Sequence, residues 1–331
     1  MSKIDFDKLF ADFSNIKAGV IGDVMLDIYW WGHVERISPE APVPVVALDK
    51  KEHRIGGAGN VALNLAALGS AVSILSVMGD DDNGHTLTQL FKEQHINTAW
   101  IARQQSRITT AKTRIISRNQ QMMRLDAEIT KDLSIDDENA LIEKVRQYIT
   151  SEQPQVIIFE DYNKGVLTER VIKEVTALCK QHGVITTVDP KRKNFFSYEG
   201  VDIFKPNLKE VKDGLNLLID EVNLPTLKDI HQQLQEKLGH SISFITLSEK
   251  GVFYQENSTA EIIPSHLRNI ADVSGAGDTV IAVASLIYAA TKRIDLMAEV
   301  ANIAGGLVCE EVGTAAVNKD RLLQECKLLL N

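Results

Sequence analysis

Six short apolar runs, each followed by a polar loop, constrain the architecture of this chain more than any other feature. Ala18–Ile21 (AGVI), Ala71–Val77 (AVSILSV), Val156–Phe159 (VIIF), Ile185–Val188 (ITTV), Ile203–Phe204 and Ser243–Thr246 read as buried strands. Segments with helical spacing alternate with them: Asn60–Leu68, Asp136–Thr150, Thr168–His182, Leu227–Leu238 and Thr279–Ala290. Asp136-Asp137-Glu138 load the first turn of one of these with negative charge, as a helix start favours. The βαβ rhythm predicts an α/β fold: a mostly parallel central sheet covered by helices on both faces. Ligands of such sheets bind beyond the carboxyl ends of the strands, where the polar loops lie.

Two segments break the rhythm. Ile28–Val46 carries Tyr29, Trp30, Trp31, Val34, Val43, Val45 and Val46 between Pro39, Pro42 and Pro44, and Thr109–Leu125 (TTAKTRIISRNQQMMRL) alternates. Both read as antiparallel strands set apart from the main sheet; edge strands of that sheet are the less favoured alternative, because prolines interrupt the first segment. Together, at about residues 28–55 and 109–125, they are expected to form a small β-lid over the strand ends. The lid's aromatic face needs cover, most simply from a second copy in a homodimer. With no repeat and no low-complexity linker, residues 1–331 are expected to be one domain.

Composition narrows the partners. The 331 residues are 44% hydrophobic and 24% charged, as in a globular protein with a full core. No apolar run reaches the roughly 18 residues that cross a bilayer, and the acidic, amphipathic N-terminus resembles no signal peptide. Cys179, Cys309 and Cys326 are widely spaced and odd in number, which fits reduced thiols in the cytoplasm. The net charge of −9 argues against nucleic acid or an anionic membrane as partner. An anionic small substrate then requires local Arg and Lys.

The chemistry concentrates in Asp272-Val273-Ser274-Gly275-Ala276-Gly277-Asp278-Thr279, directly before an apolar helix. Glycines let backbone N–H groups approach an anion, and a helix N-terminus adds free N–H groups and a favourable dipole. Asp278 beside such a site suits a general base facing a phosphate; alternatively it N-caps the helix. A second cluster, Gly56-Gly57-Ala58-Gly59-Asn60, fits GxGxxA, but Lys50–Arg54 precedes it where a dinucleotide fold requires a buried strand. That context disfavours a dinucleotide oxidoreductase and favours close approach to a polyhydroxylated ligand, with the Asn60 amide as donor and acceptor. No GxxxxGK[ST] loop occurs.

These two clusters, in this order, resemble the two signatures of the ribokinase-type (PfkB) carbohydrate kinases. Asn207-Leu208-Lys209-Glu210 is similar to that family's NxxE motif, and Thr246-Leu247-Ser248-Glu249-Lys250-Gly251 to its nucleotide-binding strand and turn. The resemblance covers essentially the whole chain; Val273-Ser274 departs from the two threonines of many members, though Ser274 keeps a hydroxyl. It implies a ribokinase-like three-layer fold, ATP and Mg2+ as cofactors, and Asp278 as base. The N–H groups of Gly275, Ala276 and Gly277 would stabilise the transferring phosphoryl. Asp27, Gly57 and Asn60 would bind sugar hydroxyls, although Asp27 also reads as a strand-end cap. Asn207, Leu208, Lys209, Glu210, Thr246, Ser248, Gly251 and Asn302 would face ATP, with Glu210 at or through the water shell of magnesium. Asn207 and Glu210 are also capping-box-like.

Within the family, Gly22–Asp27, Trp30-Trp31-Gly32, Arg36–Val46, Met123-Arg124-Leu125-Asp126 and Asp161-Tyr162-Asn163-Lys164-Gly165 resemble the branch acting on D-glycero-β-D-manno-heptose 7-phosphate, which supplies heptose for lipopolysaccharide. That implies ATP-dependent phosphorylation of the anomeric hydroxyl to heptose 1,7-bisphosphate. Ending at Asn331, the chain resembles the stand-alone form without an adenylyltransferase domain. The 7-phosphate needs cations, with Arg36, Arg124, Lys164 and Lys191 as candidates, and Asp126 and Asp189 in the same segments. The alternatives are a kinase for ribose or fructose 1-phosphate, and a non-catalytic sugar- or nucleotide-binding protein on the same fold.

Overall fold

The computed structural model describes residues 4–118, 120–218 and 221–330. Its strands are β1 (Lys17–Gly22), β2 (Val24–Ile37), β3 (Pro44–Gly57), β4 (Ala71–Gly79), β5 (Ile101–Gln104), β6 (Thr110–Ser117) and β7 (Gln120–Ala127). They continue as β8 (Val156–Glu160), β9 (Ile185–Asp189), β10 (Ile203–Phe204), β11 (Ile242–Thr246), β12 (Val252–Glu256) and β13 (Thr259–Ile263). Nine of them form one sheet in the order β13-β12-β11-β10-β9-β8-β1-β4-β5. It is parallel from β5 through β11, and only β12 and β13 are antiparallel. The expected mostly parallel sheet is therefore present, and its carboxyl edge gathers the loops after β1, β8, β9, β10 and β11.

The short apolar runs are buried on both sides because each strand serves two helix layers. In β8, Val156 and Ile158 join one core with Ala62, Ile281 and Ala298, while Ile157 and Phe159 join another with Val145, Val175 and Leu234. The period of two in a strand accounts for that split. One helix layer comprises Ala58–Ala67, Ala276–Thr291 and Ile294–Val308; the other comprises Ile135–Glu152, Glu169–His182 and Leu224–Leu238. Boundaries sit where caps allow: Thr168 accepts from the Val171 N–H and Ser134 from the Asp137 N–H. The helix assigned to Thr279–Ala290 begins earlier, at Ala276 with Gly275 as N-cap, because Ala276 and Gly277 carry no apolar periodicity that would reveal it.

The remaining strands form a separate four-stranded sheet, β3-β2-β6-β7. The two excursions do leave the main sheet, and Pro39 and Pro42 lie between β2 and β3, with Pro44 opening β3. Their mutual pairing differs from expectation. β2 and β6 run parallel, from Met25↔Thr110 to Gly32↔Ser117, with antiparallel hairpin partners outside them. Both excursions set out in the same direction from the main sheet, so their outgoing strands lie side by side. Among the described residues, no helix is long and apolar enough to cross a membrane.

Candidate active site at the carboxyl edge of the sheet

Asp278 is the third residue of its helix and is buried. It does not cap the helix: no side-chain cap bond forms there. Instead its Oδ2 accepts from Asn60 Nδ2 at 2.7 Å and its Oδ1 from the Tyr162 hydroxyl at 2.8 Å. Burial pushes its carboxyl up to about 6, and those two donors moderate the rise. Gly275, with φ 78° in the left-handed region, turns the chain into the helix, and a Cβ there would lie 2.7 Å from Asn60 Nδ2. The Ala276 N–H is used in a 3.3 Å turn bond to Val273 O, whereas the N–H groups of Gly275, Gly277 and Asp278 meet no backbone acceptor among the described residues. The N–H groups left without a backbone acceptor are thus those of Gly275, Gly277 and Asp278 rather than that of Ala276.

The loop after β8 is held from β1. Asp23 accepts from the N–H groups of Tyr162 (2.9 Å), Lys164 (3.0 Å) and Val166 (3.0 Å), which aims Tyr162 at Asp278. The Asp23 carbonyl also receives the Ala58 N–H at 3.0 Å. Gly57, with φ 59°, permits this approach, since its Cβ would lie 2.4 Å from Asp23 O. Asn60 follows in the first turn of that helix with its Oδ1 buried and without a hydrogen-bond partner among the described residues.

At the ends of β9 and β10, Asp189 meets Lys191 Nζ at 2.8 Å and Lys205 Nζ at 2.7 Å. Burial opposes its ionisation, yet the two ammonium groups hold its carboxyl below the usual range. Lys191 also reaches Glu210 Oε1 at 3.0 Å; burial works against its charge, but Asp189 and Glu210 raise its pKa. Glu160, the register partner of Asp189, is fully buried, and among the described residues neither of its carboxylate oxygens has a hydrogen-bond partner. Burial, and then the charges of Asp189 and Asp278, push it well above the usual carboxylate range.

Asn207 and Glu210 do form a capping box, with reciprocal 2.8 Å bonds, so the local reading of the motif holds. The same Glu210 side chain also reaches Lys191, so the cap and a place in the cluster coexist. Leu208 packs on the core and Lys209 is exposed. Asn207 bridges to Thr246, and Ser248 and Gly251 close the turn beyond it, with Gly251 N–H donating to Ser248 O at 3.1 Å. Asn302 donates to Pro264 O at 2.9 Å, which ties its helix to the segment after β13. For magnesium, the described residues contain no group of three or more His, Cys, Asp or Glu side chains able to hold an ion. Glu210 has one protein contact on each oxygen, which leaves lone pairs for metal-bound water; the residues fit an outer-shell site.

The lid presents two charged rows to this edge. Arg54, Asp27, Lys112 and Asp126 are neighbours across the four strands, as are Glu52, Tyr29, Arg114 and Arg124. Buried Asp27 accepts from Arg114 Nη1 at 2.6 Å, and a Cβ on Gly56 would crowd Asp27 Oδ2 to 2.4 Å. Arg124 binds both oxygens of Asp126, and Lys164 Nζ lies 2.8 Å from Glu128 Oε2, at an angle that makes an ion pair without a hydrogen bond. Arg36 is exposed, nine residues beyond Asp27 along β2, roughly 30 Å at strand rise. Sequence reasoning missed Tyr162 as a partner of Asp278, and missed Glu160, Lys205, Lys112 and Arg114. The alternation of Lys112 and Arg114 with apolar residues in β6 was the available signal; nothing local marks the others.

Residues 16–321 match the family described as pfkB family carbohydrate kinase. The bifunctional protein HldE of Geobacter sulfurreducens is 39% identical over 321 residues, covering 96% of this chain and 64% of that protein. Its namesake from Geotalea uraniireducens is 39% identical over 329 residues, covering 98% and 66%. The chain thus spans just under two thirds of the length of these relatives. Phosphofructokinase-2 from Escherichia coli in complex with potassium superposes with a TM-score of 0.77 at 16% identity, covering 96% of this chain and 100% of that one. Ribokinase from Arabidopsis thaliana complexed with ribose and ATP gives 0.72 at 16% identity, covering 93% and 99%. These likenesses establish the ribokinase-like α/β fold.

Proposed function

The chain belongs to the pfkB family of carbohydrate kinases, and from that premise we propose that it transfers the γ-phosphate of ATP to the anomeric hydroxyl of D-glycero-β-D-manno-heptose 7-phosphate, giving the 1,7-bisphosphate. The observation that carries the phosphoryl-transfer part is the convergence on Asp278. A buried carboxylate, pinned by Asn60 and Tyr162, sits at the first turn whose N–H groups face outward. The heptose phosphate is supported by the segments Arg36–Val46, Met123–Asp126 and Asp161–Gly165 and by the HldE relatives.

In this reading Asp278 accepts the proton of the attacking hydroxyl; a carboxyl near 6 is charged at neutral pH yet basic enough to take it. Asp27 and the unpartnered Asn60 Oδ1 orient sugar hydroxyls. The N–H groups of Gly275 and Gly277, with Lys191 and Lys205 close by, face the charge that develops on the transferring group. Asn207, Thr246, Ser248 and Gly251 line the nucleotide side. Bound magnesium would neutralise phosphate charge, with Glu210 accepting from its water shell. The enzyme works in the cytoplasm, which free Cys179, Cys309 and Cys326 suit. A second copy of the lid covers exposed Ile37, Val43, Met123 and Leu125.

A panel of acceptors read by phosphorus NMR tests this. With ATP and Mg2+, heptose 7-phosphate should yield a new anomeric phosphate resonance. Turnover of ribose or fructose 1-phosphate in its place would move the assignment to another sugar, and no turnover of any sugar would remove the catalytic reading.

A further inference from the structure

Nearly every cation around the cleft is already matched by a carboxylate. Arg54 donates to Glu52 (2.6 Å), Arg114 to Asp27 (2.6 Å) and Arg124 to Asp126 (2.8 and 2.9 Å). Lys164 pairs with Glu128, Lys191 with Asp189 and Glu210, and Lys205 with Asp189. Lys112 differs. It is half-buried in β6, and among the described residues its Nζ has neither an ion pair nor a hydrogen bond; its contact is the Tyr162 ring, 5.7 Å to the centroid. Burial depresses its pKa; Asp27 and Asp126 counter this, while Lys164 and Arg124 add to it.

A strand position holds this ammonium where solvent only partly reaches it, and desolvating an unpaired charge is unfavourable. Its carboxylate neighbours act on it only through space, since Asp126 is engaged by Nε and Nη2 of Arg124 and Asp27 Oδ1 by Arg114. Its place is also specific. The Tyr162 hydroxyl donates to Asp278, so one aromatic ring separates the reacting carboxylate from Lys112. A sugar that met Asp278 with its anomeric hydroxyl and Asp27 and Asn60 with its ring hydroxyls would lie beside β6, where Lys112 is the register partner of Asp27.

We propose that Lys112 is the anchor for the remote, non-transferring phosphate of the acceptor, with Arg124 and Lys164 flanking it. This rests on the reading of the acceptor as a phosphorylated sugar, and it shifts the main contact from those two carboxylate-paired residues to a cation without a partner. Lys112 thereby sets the preference for phosphorylated over free sugars and stays apart from the ATP side.

Calorimetry on the full chain, with two pairs of ligands, tests it: heptose 7-phosphate against the free heptose, and mannose 6-phosphate against mannose. Wild type should prefer the phosphorylated member. Lys112→Met should weaken binding of that member by about 10- to 150-fold, the range for a charge-assisted contact, and leave the free sugars and ATP unchanged. Lys112→Arg, which keeps the charge, should retain most of the preference and shows that the fold tolerates a change there. The anchor is overturned if Lys112→Met keeps the wild-type preference, if Lys112→Arg loses it equally, or if wild type shows no preference in either pair. Wild type that prefers the phosphorylated sugars but does not turn over heptose 7-phosphate would sink the substrate assignment and leave the anchor standing.

Discussion

Asn60 Nδ2 donates to Asp278 Oδ2 at 2.7 Å, joining residues 218 positions apart. Because an ionised carboxylate only accepts, the amide nitrogen must face Asp278, and the amide oxygen is left buried without a hydrogen-bond partner among the described residues. One bond thus joins the two glycine clusters and helps hold the Asp278 carboxyl down against the effect of burial.

Asp278→Asn should lower kcat by about two to four orders of magnitude while ATP affinity stays near wild type. Its stability follows from the raised pKa. Between 3.8 and about 6 the native state binds more protons than the unfolded one, so the advantage of the neutral carboxyl is present below 3.8 and lost as pH rises through about 6. At pH 7.5 the amide variant should therefore melt no lower than wild type. Wild-type turnover in the variant would end the assignment of the base.

Tyr162→Phe removes a donor that holds the Asp278 carboxyl down. The acid limb of the kcat/KM profile, expected near 6 in the wild type, should move to higher pH in the variant. A limb that stays in place, or moves to lower pH, would show that the hydroxyl does not act on Asp278.

Glu160→Gln tests the buried, unbonded carboxyl. Its pKa is raised well above 4.5, first by burial, so wild-type stability falls as pH rises above 4.5, a loss the amide does not share. The melting temperature of the variant relative to wild type should therefore increase between pH 5 and pH 8. A difference that is flat or falls with pH would contradict a protonated Glu160 in the folded state.

Light scattering at micromolar concentration should report a dimer. β7 is exposed along its whole length, and Met123 and Leu125, at 54% and 49% exposure, occupy the face opposite Arg124 and Asp126. Met123→Lys combined with Leu125→Lys should shift the protein toward monomer. A fully active wild-type monomer would remove the lid-to-lid interface.

The sequence by itself determined what depends on near neighbours along the chain. The double burial of Val156–Phe159, the body of the helix over Thr279–Ala290, the Asn207–Glu210 cap and the separation of the lid from the main sheet follow from periodicity, glycine and caps within a few residues, whereas the start of that helix at Ala276 does not. Asp278 was legible for the same reason, since its place one residue past the glycine loop is a local fact. The tertiary structure alone decided what each charge faces. It ran β2 parallel to β6, gave Arg124 to Asp126, placed Lys205 on Asp189, turned Tyr162 onto Asp278, and left Glu160 and Lys112 without hydrogen-bond partners among the described residues. The physical reason is distance. Hydrophobic period and capping act over one or two turns, whereas pairing, burial and the pKa shifts they cause act through space, between residues the chain separates by tens to hundreds of positions.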